Sequence, residues 1–227
     1  MTWLNHSRFF PPTPPYYELN YNESTKTYRM DSSFYNVIPP DFNLSVHLIE
    51  TSNKTVVPLF CLIFPDAYFT IIYSHGNATD CGGMFTRYTE LAANLRVNLV
   101  AYDYTGYGAS TGTPTEAQTY KDIETVYLWC IESKLVKEPS DQLVLLGQSL
   151  GSGPSCYLAS RHKVAGLVLI SPIMSGLRVI TESRLLGCFD IFPNIERIRA
   201  VRCPVFIVHG QVRISFNLHL HTITVHW

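Results

Sequence analysis

The chain has 227 residues, 46% hydrophobic and 15% charged, with 17 Lys+Arg against 18 Asp+Glu and a net charge of −1. Such a chain can bury a sizeable core, which excludes long disordered or highly charged segments. The charge balance lacks the basic excess of a polyanion-binding protein, so nucleic acid is not an expected partner. No apolar run reaches the roughly 18–20 residues of a spanning helix, and the start MTWLNHSRFFPPTPP has no apolar signal region.

In chain order, residues 1–40 are rich in Pro, Tyr and Asn. FFPPTPPYYEL reads as an extended arm, because proline fixes φ and removes a donor. Residues 44–50 and 55–64 read as two strands joined by a Ser-Asn-Lys turn, with Pro58 placing the second near an edge or a bulge. Short apolar strands follow at 69–74, 97–102, 142–147, 164–170 and 204–209, with helical stretches near 83–95, 115–133 and 150–161. Apolar strands alternating with helices predict an α/β fold with a mostly parallel sheet covered on both faces. The six cysteines form no C-x-x-C pair and read as reduced, mostly buried thiols of a cytoplasmic protein. Five N-x-S/T sequons, at Asn5, Asn22, Asn43, Asn53 and Asn77, carry no weight without export, and Asn77 is expected in a buried loop.

Polar and glycine-rich segments stand at four strand ends: Ser74-His75-Gly76-Asn77, Asp103 to Gly108, Gly147 to Gly151, and His209-Gly210. Ligands of open parallel sheets bind at the carboxyl ends of strands, so these loops predict one site. Gly147-Gln148-Ser149-Leu150-Gly151 matches G-x-S-x-G, a weak pattern alone. Here it follows an apolar strand and opens a helix, as a nucleophile elbow requires. Two glycines let strand and helix approach closely while Ser149 stands exposed in a strained conformation. The plainer alternative makes Ser149 a helix N-cap. A serine nucleophile needs a base, an orienting acid and donors for the oxyanion. The Leu150 N–H is one candidate donor, and the Asn77 N–H is the other, with Ala78 second. His75 reads as a structural histidine bonding loop carbonyls.

Taken together, HGN with Asp80, YDYTGYGASTG, LGQSLG, CFDIFPNIERI and the arm FFPPTPPYYEL resemble the ABHD17-type α/β-hydrolases, protein depalmitoylases related to the Bem46-like group. The resemblance runs from about Phe9 to Gly210. It implies an α/β-hydrolase fold and hydrolysis of an acyl thioester on a protein cysteine through an acyl-enzyme on Ser149. The implied partners are an acylated protein or a small acyl ester, with peripheral membrane contact and no cofactor. In that family the acid follows a later strand, so Asp103 reads as a loop-bracing carboxylate, with Tyr102, Tyr104 and Tyr107 packing beneath the site. The organisation that follows is an arm over 1–40, a hydrolase domain over 41–210 with a cap at 173–203, and a tail over 211–227.

Two departures from the family pattern stand out. Only eight residues, none of them Cys, precede Phe9, where the family carries an acylated cysteine-rich segment. After His209-Gly210 the tail QVRISFNLHLHTITVHW contains no Asp, Glu, Gly or Pro, so the triad acid and His and the last family strands are missing. Asp190, His219 and His221 are the weak substitutes. His219-x-His221 could share a strand face, but no third ligand with known spacing accompanies it, and no metal site is expected. The alternatives to an active thioesterase are a catalytically dead acyl- or lipid-binding remnant, a serine peptidase or esterase of the same fold, and a chain that fails to fold around an open sheet edge. The tail's β-branched and aromatic run could partly cap that edge.

Overall fold

The computed structural model describes residues 14–32, 42–174, 192–212 and 218–225; for 32, 211, 212 and 218–225 it describes the backbone. The expected cysteine Cys188, the acid Asp190 and most of the proposed cap lie outside the described residues.

The strands are β1 (Tyr17–Asn22), β2 (Thr27–Ser32), β3 (Asn43–Glu50), β4 (Val56–Ile63), β5 (Thr70–Ser74), β6 (Asn98–Tyr102), β7 (Leu143–Gln148), β8 (Gly166–Ile170), β9 (Val205–Val212) and β10 (Leu218–Val225). They form one sheet in the order β1-β2-β3-β4-β6-β5-β7-β8-β9-β10. The five central strands, β6 to β9 in that order, run parallel, and the flanking pairs are antiparallel. The parallel sheet predicted from the strand–helix alternation is therefore the centre of a mixed one. Helices α1 (Cys81–Leu95), α2 (Glu116–Glu132), α3 (Pro139–Gln142), α4 (Ser152–Arg161) and α5 (Asn194–Arg197) connect or flank it.

Period-two alternation fills both faces of the sheet. From β4, Val57, Leu59 and Cys61 enter one core with Ile72, Val100 and Tyr102, covered by Ile123, Val126 and Cys130 of α2 and Cys156 and Leu158 of α4. Phe60 and Leu62 enter the opposite core with Ile71, Tyr73, Leu99 and Leu146, covered by Phe85, Tyr88 and Ala92 of α1. The spacing Cys81, Phe85, Tyr88, Ala92 is one helical face. Asp80 caps α1 by accepting from Gly83 N at 2.9 Å, and Arg96 ends it in the left-handed region at φ +53°. The thiols of Cys61, Cys81, Cys130, Cys156 and Cys203 are free and buried. Burial pushes Cys61 and Cys156 up to about 12, so these thiols are inert at neutral pH.

Three expectations are corrected. First, residues 17–32 of the extended arm form a hairpin that adds two strands to the sheet. Its turn is held by Asn22 Oδ1, which accepts from Ser24 N at 3.0 Å and Thr25 N at 3.2 Å. Second, Pro58 lies in an interior strand, between β3 and β6. Its carbonyl accepts from Asp103 N at 3.4 Å on the β6 side, just past the last ladder pair, Leu59 with Tyr102. The N–H that proline lacks would face that same side, where the ladder has ended, so no bond is lost. Third, His209-Gly210 is not a loop at a strand end; it lies inside β9, which pairs along its whole length with β10. The tail thus covers the edge that β9 would otherwise expose.

Tyr17 anchors the hairpin. It is 3% exposed, and its hydroxyl donates to Asp103 Oδ2 in the core while accepting from Ala109 N at 3.0 Å. Burial first, and the Asp103 charge second, hold the phenol far above its usual range, so it stays a donor. Tyr17→Phe leaves a buried carboxylate short of one donor. It is expected to lower stability by about 2 kcal/mol in urea denaturation; a change within error would show that the bond carries no net weight.

Candidate active site

β5 stands between β6 and β7, so the chain leaves it toward one neighbour and later returns on the other side. Such a reversal opens a crevice at the carboxyl ends of the two strands. The loop after β5 is Ser74 to Asp80, and the one after β7 begins at Ser149.

β7 delivers Gln148 in extended conformation, and Ser149 then takes φ +50°, in the left-handed region. A 3₁₀ turn, Ser149–Gly151, runs directly into α4. L-residues pay about 1–2 kcal/mol for this conformation. Two glycines make the turn possible. A Cβ on Gly147 would strike the Gly151 carbonyl, and one on Gly151 would overlap the Ser74 and His75 carbonyl oxygens. Ser149 itself is half-buried, and its hydroxyl bonds no described residue. As a helix N-cap it would be bonded to the first turn, so the plainer reading of this serine does not hold.

The β5 loop lies against it. A Cβ on Gly76 would stand 3.8 Å from Ser149 Cβ. Of the two candidate oxyanion donors in this loop, the Ala78 N–H already donates to Asn77 Oδ1 at 3.0 Å. The same Oδ1 accepts from Tyr107 Oη at 2.7 Å. Asn77 is exposed, which corrects the buried loop expected for its sequon. The donor expected on the other side, the Leu150 N–H, belongs to the middle residue of the 3₁₀ turn.

A buried polar frame holds these loops. His75 Nδ1 lies 2.8 Å from Gly76 O, its Nε2 lies 3.3 Å from Asp103 Oδ1, and its carbonyl accepts from Tyr104 Oη at 2.6 Å. Asp103 Oδ1 also accepts from Cys81 N at 2.8 Å. The Asp103 carboxylate therefore ties the β5 loop, the start of α1 and the N-terminal hairpin together, and both its oxygens are engaged by these contacts. Asp80 Oδ2 accepts from Tyr16 N at 2.7 Å, a second tie to the hairpin. Tyr73 Oη donates to Gln148 Oε1 at 2.8 Å, and Ser74 Oγ lies 2.9 Å from Tyr102 Oη.

Two residues that carry no motif signal complete the elbow. Ser152 Oγ donates to Ser149 O at 2.6 Å and accepts from Ile173 N at 3.2 Å and Asn194 Nδ2 at 3.0 Å. The Ser149 carbonyl and the Leu150 N–H share one peptide plane and point oppositely. The Ser149 carbonyl also accepts from Ser152 N, so the start of α4 holds the peptide that carries the Leu150 N–H. Nothing in the spacing of Ser152 and Asn194, 42 residues apart, announces this pairing.

The loop after β6 rests on Asp122 of α2, fully buried, which accepts from Thr105 N and Thr105 Oγ1, each at 2.8 Å, and from Gln118 Nε2 at 3.2 Å. Burial outweighs these donors and raises the carboxyl from 3.8 to about 6. A raised folded-state value means stability present at low pH and lost as pH rises. Between pH 3.8 and about 6 the wild type is expected to lose up to about 3 kcal/mol relative to Asp122→Asn, with no further change above that window. Urea midpoints of both proteins from pH 4 to 7.5 check this; parallel curves would contradict it.

The four imidazoles whose rings are described bond elsewhere: His47 with Ser45, His75 with Gly76, His162 with Glu124 and His209 with Gly210. His219 and His221 lie on β10 by backbone placement, three strands from β7. That is about 14 Å at the usual strand spacing. Asp190 lies outside the described residues. Among the described residues, no group of three His, Cys, Asp or Glu side chains could hold a metal, and no helix is long and apolar enough to cross a membrane.

The family with the description "alpha/beta hydrolase fold" matches residues 70–187, about half of the chain, from β5 past the elbow. The chain belongs to the α/β-hydrolase family. It is 39% identical over 161 residues to human alpha/beta hydrolase domain-containing protein 17B, covering 70% of this chain and 55% of that protein. It is 41% identical over 153 residues to the 17C protein of Xenopus tropicalis, covering 67% and 49%. To the protein aho-3 of Caenorhabditis elegans it is 42% identical over 151 residues, covering 64% and 44%. The chain thus spans about half the length of the curated relatives it matches, and its resemblance to the ABHD17 type rests on that half. Among solved structures, an esterase of Pyrococcus furiosus superposes with a TM-score of 0.59 at 18% identity, covering 76% of this chain and 74% of that one. An alpha-beta hydrolase of Vibrio vulnificus gives 0.57 at 16% identity, covering 73% and 62%. At these identities the likeness shows the fold alone.

Proposed function

We propose that this α/β-hydrolase chain supplies the nucleophile and oxyanion side of a serine hydrolase for acyl thioesters or esters, with removal of a fatty acyl group from a protein cysteine as the reaction. The observation that carries the reading is Ser149 at φ +50° on a turn whose two glycines admit no Cβ. A serine held there fits a nucleophile elbow, and its hydroxyl is not spent on capping α4. The thioester substrate comes from the likeness to the ABHD17 type.

In this reading Ser149 Oγ attacks the acyl carbonyl carbon and gives its proton to a base. The N–H groups of Leu150 and Asn77 receive the developing oxyanion. The carbon–sulfur bond then breaks, the cysteine sulfur leaves and takes up a proton, and the acyl group stays on Ser149 as an ester. Water attacks that ester, releasing the fatty acid and restoring the hydroxyl. Base and acid are assigned to no described residue.

Labelling by a fluorophosphonate probe tests the reading, because the probe needs an activated serine. Labelling at Ser149 supports hydrolysis. Folded, unlabelled protein that still takes up fatty acid supports the acyl-binding alternative, which the engagement of all four described imidazoles elsewhere favours.

A further inference from the structure

α4 is ten residues long, and Ser152 and Arg161 stand at its two ends. At 1.5 Å per residue these ends are about 15 Å apart. The far end opens on a cleft of about 420 Å³ lined by Ser160, Arg161, His162, Lys163, Arg199 and Arg202, with two alanines. Arg161, Lys163, Arg199 and Arg202 are exposed, and none of them forms an ion pair with a described residue. Four cations round one cleft without a described ion-pair partner contrast with a net charge of −1 for the chain. Like charges so placed repel one another, and a bound polyanion relieves that repulsion.

The wall formed by the end of α4 is held by contacts of its own. The Arg161 guanidinium lies over the Tyr157 ring, 4.7 Å from its centroid. Tyr157 in turn stacks on Tyr120, with centroids 4.3 Å apart. His162 is held by Glu124 at 3.1 Å and against Tyr127, so the nearby carboxylate is already taken. The Ser160 hydroxyl is spent on the Tyr157 carbonyl at 2.7 Å. The carboxyl end of α4 carries about half a negative charge, which four full positive charges outweigh.

We propose that this cleft binds a phosphate-bearing polyanion, at a site separate from Ser149. Three arginines offer planar forks that match phosphate oxygens bidentately. A single carboxylate would neutralise one of the four cations, whereas a diphosphate brings several charges into a cleft of this size. A free phosphorylated metabolite and a phosphorylated lipid headgroup present the same chemistry. The site does not depend on how Ser149 is read.

The test uses the full chain. Titration calorimetry with inorganic pyrophosphate at about 50 mM salt is expected to show sub-millimolar binding, weakened at least about tenfold at about 200 mM salt. Arg199→Gln with Arg202→Gln is expected to weaken it at least about tenfold. Arg161→Gln with Lys163→Gln should do the same and serves if the first pair disturbs folding. Lys26→Gln with Lys54→Gln, which removes as much charge at the other end of the sheet, is expected to leave binding unchanged. Sedimentation with phosphatidylcholine vesicles, with and without about 10% phosphatidylinositol bisphosphate, separates the sources. Vesicle binding lost in the arginine variant assigns a headgroup; pyrophosphate binding without vesicle binding assigns a free ligand. Folded protein that ignores pyrophosphate at about 1 mM, or variants that bind it as the wild type does, would overturn the proposal.

Discussion

Ser149→Ala is expected to reduce fluorophosphonate labelling to background, at least about a hundredfold, while the protein stays folded. Both halves of that result have a structural reason. The hydroxyl bonds no described residue, so its loss leaves no buried partner unsatisfied. Alanine also keeps the Cβ, so the left-handed strain at φ +50° is unchanged. Ser149→Gly separates strain from chemistry. It removes the same hydroxyl, so labelling is expected to vanish equally. It also relaxes the backbone, so it should match or exceed the stability of Ser149→Ala, by up to about 1 kcal/mol. A glycine variant less stable than the alanine variant would show that Ser149 is not strained in solution. Labelling that survives in Ser149→Ala would move the nucleophile elsewhere.

The second large effect is expected at Gly151. A methyl there overlaps the Ser74 and His75 carbonyl oxygens, which are backbone atoms of a central strand and its loop and cannot swing aside as a side chain would. Gly151→Ala is expected to cost about 3 kcal/mol or more. Because the clash separates β5 from the elbow, it should weaken probe labelling even in the fraction that remains folded. Gly210→Ala is the contrasting control, since a Cβ there would meet no atom of the described residues within 4 Å. Urea midpoints for the two variants, read beside their labelling, check the pair; equal midpoints would show that the elbow yields more readily than its packing implies.

The central elements were legible because their signals are local. Leu143–Gln148 is an apolar run that includes Gly147, and α1 was read as a helical stretch near 83–95, while its cap at Asp80 emerged only in the structure. The hairpin β1–β2 was not legible. The prolines just before it and its own polar residues suggest an extended arm, and Tyr17 is buried by distant contacts, the Phe60 ring and the Asp103 carboxylate, 86 residues away in sequence. β9 misled in the same way. His209-Gly210 has the composition of a strand-end loop, yet pairing with β10 carries the strand through it.

The sequence by itself determined the alternation of strands and helices, the family and the identity of the elbow, since each is written in neighbouring residues whose side chains and φ preferences act locally. The tertiary structure alone decided three further things. It brought Gly76 against Ser149, it linked Asn194 through Ser152 to the Ser149 carbonyl, and it gathered Arg161, Lys163, Arg199 and Arg202 round one cleft. These depend on which strands become neighbours, a choice made by burying both faces of one sheet at once, and no local stretch of sequence encodes it.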